Sequence, residues 1–260
     1  MREAELREYL VEICHRMYRQ GYIAAGDGNV SARFDEDRVL VTPSGFHKGF
    51  IKKDDLVVVD IHGRLLRANR GGLKPSSEFL MHEAAYEERE DVRAVVHAHP
   101  PMTVGLALAG VTLAQCVLSE TCLTLGAILT APYTTPTTDE VPSVLRPYFR
   151  QANAIVMDRH GAITVGRDLD EAYNRMEAME HASKITHAAR VIGPVTPLPA
   201  REVEKLQALA IKLGIARAPD PCTLCNACPS STCSTGAAPR ASAREEDAIV
   251  EAVMRKLRGN

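Results

Sequence analysis

The sequence predicts an α/β fold in which one large domain is followed by a short tail. Stretches with helical spacing alternate with short strand-like stretches that end at turn residues. The 260 residues suffice for one substantial core. Near residue 216 the composition changes to small and polar residues that cannot form a core of their own. We therefore expect a catalytic domain over residues 1–215, a Cys-rich linker or metal-binding segment over 216–244, and an amphipathic helix over 245–260.

The amino-terminal part is predicted to be a helix followed by an antiparallel meander. The helix extends from about Glu3 to Gln20, where apolar residues recur at helical spacing, and Gly21 provides a cap. Short β-prone stretches follow and are separated by turn residues. The predicted strands are residues 29–34, 38–42, 56–60 and 64–66.

The middle and later parts alternate between helices and strands. A helix from Ser77 to Glu88 leads into the apolar run that begins at Ala94, which is predicted to be a buried strand that delivers His97 and His99. The other predicted elements are a helix after Pro101, a strand near Ile128, a helix from about Val141, a strand over 154–157, and helices over 170–192 and 201–213.

Charge and hydropathy exclude several classes of function. The net charge is -2, so there is no overall electrostatic attraction for a nucleic acid or an anionic membrane. The sequence has no apolar run of the ~20 residues that cross a bilayer, and its amino terminus does not resemble a signal peptide. These observations predict a cytoplasmic protein with a small-molecule ligand.

Three histidines form a candidate metal site. Residues two apart in a strand project from the same face, so His97 and His99 can offer both imidazoles to one ion. Catalytic zinc sites usually keep three protein ligands, and His160, in a strand-to-turn context, is the best third histidine. The alternative is that these histidines are ordinary structural residues. For the other histidines we expect solvent exposure or ordinary packing: His15, His47, His62, His82, His181 and His187.

Three loops of small residues are candidate phosphate cradles, because they offer many backbone N–H groups and hydroxyls. They are residues 26–31, 42–45 and 74–78. The first is not a dinucleotide-binding fingerprint, since it follows a helix and has Ser31 in place of a third glycine. Ser76 and Ser77 precede a predicted helix, whose amino-terminal dipole would favour a phosphate and would place Glu78 beside it. Each loop could also be an ordinary turn.

Five motifs in a fixed order carry a resemblance to a known family. The motifs GDGNVS, TPSG, KPSSE, VVHAH and RHG resemble those of the class II aldolase and adducin family, especially its fuculose-phosphate aldolases. The resemblance extends from Glu3 to about Ile215. It implies a three-layer αβα domain with a central, mostly antiparallel sheet, assembled as a homotetramer.

The resemblance also implies roles for individual residues. His97, His99 and His160 match zinc ligands, although another divalent metal could serve. Glu78 matches a glutamate that acts as catalytic acid and base and can also ligate the metal. The positions that match phosphate-binding residues are Gly28, Asn29, Ser44, Gly45, Ser76 and Ser77.

The implied activity is that of a zinc-dependent aldolase. It would cleave a deoxy-ketose 1-phosphate, L-fuculose 1-phosphate first and L-rhamnulose 1-phosphate second, to dihydroxyacetone phosphate and lactaldehyde. The alternatives are a sugar-phosphate 4-epimerase of the same family and a non-catalytic adducin-like binding module. In related epimerases an aspartate commonly takes the place of Glu78, so the glutamate favours aldolase chemistry. Where the fuculose aldolases carry a tyrosine that handles the proton at the aldehyde oxygen, this chain has Leu118.

The tail departs from the family pattern. Four thiolates could hold zinc or an iron–sulfur cluster, and the alternative is a reduced linker; these are Cys222, Cys225, Cys228 and Cys233. The helix predicted from residue 245 resembles the peptides that tether enzymes to the shell protein of a bacterial microcompartment, and the alternative is a helix that docks on its own tetramer.

Overall fold

The computed structural model describes residues 2–67 and 71–215, so the Cys-rich segment and the predicted terminal helix lie outside the described residues. The described strands are β1 (Asn29–Arg33), β2 (Val39–Val41), β3 (Val57–Val59), β4 (Ala94–Ala98), β5 (Ile128–Ala131), β6 (Ala154–Met157) and β7 (Gly161–Gly166). The α-helices in these ranges are α1 (Glu3–Arg19), α2 (Phe79–Glu88), α3 (Pro101–Leu108), α4 (Ser119–Thr124), α5 (Glu140–Gln151), α6 (Leu169–Ile192) and α7 (Ala200–Lys212). None of these helices has both the length and the apolar character needed to cross a membrane.

The seven strands form one sheet with the order β3-β2-β1-β4-β7-β6-β5. Every neighbouring pair is antiparallel except β5 and β6, which are parallel. The central, mostly antiparallel sheet is therefore confirmed. At its centre β4 lies between β1 and β7, although these three strands are far apart in the sequence.

Apolar side chains cover both faces of the sheet. Successive residues of a strand point to opposite faces, and Val95 and Val96 of β4 accordingly belong to different core clusters. The cluster around Val96 includes residues of α1 and α6, and the cluster around Val95 includes residues of α2 and α5. Helices thus pack on both sides, which confirms the predicted three-layer arrangement.

Among the described strands and α-helices, β7 and α4 lie outside the prediction, and the most marked differences in bounds fall at residues 64–66 and at the start of α2. The six-residue strand β7 begins and ends with glycine, a residue of low strand propensity, so the sequence pattern does not indicate a strand there. Helix α4 has only six residues, too few to show a helical repeat. The predicted strand over 64–66 is reduced to one bridge between Val59 and Leu65, because the side chain of Asp60 closes a turn by accepting from the backbone of His62 and Arg64. Helix α2 begins at Phe79, which leaves Glu78 just outside it.

The amino terminus of α3, two residues after His99, is held by a buried carboxylate. Glu180 of α6 accepts hydrogen bonds from the backbone of Met102 and from both the backbone and the hydroxyl of Thr103. The first N–H groups of a helix have no partner within the helix, and a negative charge is favourable at this end. Glu180 therefore fixes the helix that follows the two histidines.

Replacing Glu180 with alanine should lower the free energy of unfolding by roughly 3 kcal/mol, because it leaves the backbone N–H groups of Met102 and Thr103 without an acceptor, whereas the Thr103 hydroxyl keeps Ser183 as a partner. Chemical denaturation of the purified variant measures this change. Glu202→Ala is the control, since it removes only an exposed pair with Lys205 and should change stability by no more than about 0.5 kcal/mol. Equal effects of the two substitutions would contradict the capping role.

Candidate metal and catalytic site

Three histidines converge at the end of the central strands. His97 lies in β4, His99 immediately follows that strand, and His160 lies in the turn between β6 and β7. One ring nitrogen from each lies within 4.8 Å of the others. The Nε2 atoms of His97 and His99 are 3.2 Å apart. The structure therefore brings together the three histidines selected from the sequence.

Strand pairing explains this convergence. Strand β7 runs antiparallel to β4, with Ala98 opposite Ala162, so the turn that carries His160 meets the end of β4. The approach requires a residue without a side chain at Gly161. A Cβ atom there would lie 2.5 Å from His99 Cδ2 and 2.6 Å from the carbonyl oxygen of Ala98, closer than such atoms can pack.

The protonation of His97 suits a metal ligand. Its Nδ1 lies 2.9 Å from the carbonyl oxygen of Ala162, which can only accept, so Nδ1 carries the proton and Nε2 keeps a lone pair. Burial lowers the pKa of His97 to about 3, and it also lowers the pKa of His99. Both rings are therefore neutral near pH 7, as metal binding requires.

Glu78 completes the cluster. Its Oε1 lies 3.1 Å from Nε2 of His160, its Oε2 lies 3.5 Å from Nε2 of His97, and Oε2 also accepts a hydrogen bond of 2.8 Å from Asn29. Burial would raise the pKa of Glu78, but hydrogen bonds with His160 and Asn29 and the electrostatic influence of the nearby His97 and His160 rings together lower it to about 2. The group is a carboxylate.

The donor set fits a divalent cation. The bare Nε2 of His97 faces a carboxylate oxygen at 3.5 Å, so two acceptors oppose one another, and a cation between them would relieve that arrangement. Imidazole nitrogens and carboxylate oxygens are both common zinc ligands. Asp27 stands behind His99, with Oδ2 3.5 Å from its Nδ1, as carboxylates often stand behind metal-binding histidines.

A buried lysine holds the glycine loop that carries Asp27. The ammonium of Lys48 donates a hydrogen bond of 2.6 Å to the carbonyl oxygen of Gly26. Burial lowers the pKa of Lys48. Gly28 in the same loop has a φ of 69° and touches the backbone of His97, where a Cβ would lie 2.9 Å from the carbonyl oxygen. Lys48 could not be recognised from the sequence, because its neighbours in the chain are mostly exposed or partly buried.

The predicted phosphate positions fall into two groups. Ser44, Ser76 and Ser77 line one open pocket together with Lys74, at the amino-terminal end of α2. Backbone hydrogen bonds join the two loops, from Ser44 to Lys74 and from Ser76 to Thr42, and Gly45 adopts a φ of 73° beside them. Gly28 and Asn29 instead lie against the histidine cluster, where the Asn29 amide is bonded to Glu78.

His82 is the functional candidate that sequence reasoning missed. It is fully buried in α2 and hydrogen-bonds to both Asn29 and Ser31. Another histidine, His62, lies near Glu83 and Glu87 in an exposed group. Exposed acidic groups of this kind are common without a metal, and the side chain of Glu87 is also paired with Arg146.

Both the sequence and the fold are similar to those of known proteins. Residues 8–187 match the family model of the class II aldolase and adducin N-terminal domain. The chain is 30% identical over 189 residues to the 3-oxo-tetronate 4-phosphate decarboxylase of Haemophilus influenzae, covering 71% of this chain and 88% of that protein. It is 31% identical over 183 residues to the L-fuculose phosphate aldolase of Methanococcus vannielii, covering 70% and 96%. A solved L-fuculose 1-phosphate aldolase superposes with a TM-score of 0.73 at 27% identity, covering 82% of this chain and 98% of the other.

Proposed function

The chain belongs to the class II aldolase and adducin family, and from this premise we propose that it is a metal-dependent lyase that releases dihydroxyacetone phosphate from a phosphorylated ketose. L-Fuculose 1-phosphate is the first candidate substrate and L-rhamnulose 1-phosphate the second, each yielding lactaldehyde as the other product. The observation that carries the proposal is the convergence of His97, His99 and His160 with the carboxylate of Glu78.

The reaction needs a way to hold negative charge. Breaking the bond between C3 and C4 leaves an electron pair on C3, which delocalises onto the oxygen of the C2 carbonyl. Together with the hydroxyl oxygen on C3, this gives an enediolate. A divalent cation bound to the three imidazoles would supply positive charge to those oxygens. Ser44, Ser76 and Ser77, at the amino-terminal end of α2, would hold the phosphate, because the N–H groups and the dipole of that helix end favour an anion.

The proposed role of Glu78 is to transfer the proton to and from the enediolate carbon. In the cleavage direction a proton must reach the enediolate carbon, and in synthesis the same proton must leave. Asn29 holds one oxygen of Glu78, and both oxygens contact the histidine cluster, which supports this role.

A decarboxylase is the second candidate, and the Haemophilus influenzae relative favours it. Loss of carbon dioxide from 3-oxo-tetronate 4-phosphate breaks the bond between C1 and C2 and leaves the electron pair on C2, next to the carbonyl. The result is the same enediolate of dihydroxyacetone phosphate. Aldehyde release also requires removal of a hydroxyl proton, whereas carbon dioxide release does not. Leu118, which has no proton to give or accept, is compatible with the second reaction.

One substrate panel separates these candidates. The protein loaded with Zn²⁺ is incubated with L-fuculose 1-phosphate, L-rhamnulose 1-phosphate, ribulose 5-phosphate and 3-oxo-tetronate 4-phosphate. Lactaldehyde together with dihydroxyacetone phosphate identifies the aldolase, and carbon dioxide with dihydroxyacetone phosphate identifies the decarboxylase. Epimerised ribulose phosphate with no free fragments would support the epimerase instead. The control is His99→Ala, and the lyase proposal fails if no substrate yields dihydroxyacetone phosphate.

Zinc as the metal and a homotetramer as the assembly are further parts of the proposal. Support for an assembly comes from large apolar residues at the carboxyl end of α6, where Val191 is 74% exposed and Ile192 is 90% exposed. Surfaces of this kind often mark protein interfaces. Light scattering coupled to size-exclusion chromatography measures the molar mass of the assembly, and metal analysis of the purified protein identifies the ion.

A further inference from the structure

A chain of buried hydrogen bonds runs from Glu78 into the core between α2 and β1. Asn29 donates from Nδ2 to Glu78, and Asn29 Oδ1 is bonded to His82 Nε2. On the other side of the ring, His82 Nδ1 lies 2.7 Å from the hydroxyl of Ser31, which lies 2.6 Å from the hydroxyl of Tyr86. The four residues beyond Glu78 are all buried, where polar groups need hydrogen-bond partners, and the bonds of this chain supply them.

The donor and the acceptor in each of these hydrogen bonds follow from the carboxylate at the Glu78 end of the chain. Glu78 is a carboxylate and can only accept, so the amide of Asn29 must turn its N–H group toward it. The amide oxygen of Asn29 then faces His82, and Nε2 of that ring must carry the proton. Burial lowers the pKa of His82 to about 3, so the ring is neutral and its Nδ1 is an acceptor.

The two hydroxyls complete the same order. Ser31 has a single hydroxyl proton and must donate it to Nδ1 of His82, because that nitrogen has none. Tyr86 consequently donates to the oxygen of Ser31. The chain therefore has one self-consistent polarity, in which each group donates toward Glu78.

We propose that His82 is a positioning residue for Glu78, acting through Asn29. An asparagine amide can rotate by half a turn with little change in shape, and that rotation would place its oxygen against the carboxylate. His82 prevents this rotation, because its Nε2–H group requires the amide oxygen as its acceptor. This inference deepens the proposed function, on which its kinetic consequence rests.

The first test is spectroscopic and needs no substrate. Long-range proton–nitrogen spectra of protein with ¹⁵N-labelled histidine are recorded near pH 7, and the His82 ring is assigned by its absence in His82→Gln. We expect a neutral ring with the proton on Nε2. A proton on Nδ1, or a doubly protonated ring, would overturn the proposal.

The second test compares two side chains of similar length. His82→Gln keeps an N–H donor that can reach Asn29, whereas His82→Met fills a similar space without a donor. With the substrate that yields dihydroxyacetone phosphate, His82→Met should lower kcat by roughly 10–100-fold with a smaller change in KM, as loss of a supporting hydrogen bond typically does. His82→Gln should recover most of that loss. Equal kcat values for the two variants would overturn the positioning role.

Tyr86→Phe is the matched control within the same buried chain. It removes the last hydroxyl, but Ser31 can still donate to His82, so Asn29 keeps its orientation and kcat should stay close to that of the unmodified protein. If His82 had only a structural role, the loss of kcat in each variant would instead follow the decrease in its melting temperature. Circular dichroism melting of all three variants separates the two cases.

The failure of this inference can be told from a failure of the proposed function. If the unmodified protein consumes no substrate of the panel, the proposed function fails, and the Asn29 side-chain amide signals in the proton–nitrogen spectrum decide the positioning role. Signals that are retained in His82→Gln and displaced in His82→Met would support that role. Signals that are the same in both variants would overturn it.

Discussion

Replacing Glu78 with glutamine should lower turnover by roughly 10²–10⁴-fold, the range lost when a general acid or base is removed, while the metal remains bound. The amide keeps an oxygen that can accept from Asn29, so the local geometry is preserved. It cannot take or return a proton at carbon. Steady-state kinetics and metal analysis on the same sample measure the two effects together.

A control for Glu78→Gln lies on the neighbouring helix. Glu88, the last residue of α2, is paired with Arg146 and Arg150, so Glu88→Gln makes the same chemical change away from the histidine cluster and from the phosphate pocket. Its turnover should equal that of the unmodified protein. Full lyase activity in Glu78→Gln would disprove the assignment of Glu78, whatever the substrate proves to be.

Replacing His97 with alanine should abolish metal binding and, with it, lyase activity. His97 is fully buried, and its Nε2 lies 3.2 Å from Nε2 of His99 and 3.5 Å from Oε2 of Glu78. The remaining ligands would be two imidazoles and a carboxylate. We expect the metal content to fall from about one ion per chain to a trace.

The buried position of His97 calls for a second variant. Alanine leaves a cavity and deprives the Ala162 carbonyl of its donor, so a general loss of stability could mimic a loss of metal. His99 is 29% exposed, and His99→Ala should lose the metal without unfolding. His181→Ala, an exposed histidine on α6, is the control that should retain it. Stoichiometric metal in folded His97→Ala and His99→Ala would disprove the site.

The histidine cluster could be predicted from the sequence because the spacing of residues within single elements indicates its members. Alternation along a strand places His97 and His99 on one side, and a turn after an apolar strand exposes His160. The sheet order could not be read in this way, because the pairing of β4 with β1 and β7 joins segments far apart in the chain.

His82 escaped sequence reasoning although a signal was present. His82 and Tyr86 are four residues apart and so share one face of α2, and Glu78 stands four residues before His82, just ahead of the helix. Asn29 and Ser31 alternate along β1 in the same way. The two patterns become meaningful only when α2 packs beside β1, which spacing within either element cannot show.

The position of the cluster on three central strands has a consequence for folding kinetics. The ligand set is incomplete until β7 has paired with β4, which places His97 opposite Ile163 and brings His160 close. Contacts between such distant segments tend to form late, because closing long loops costs entropy. A cation that recognises only the finished cluster would therefore leave the rate of folding almost unchanged and act chiefly by slowing the rate of unfolding.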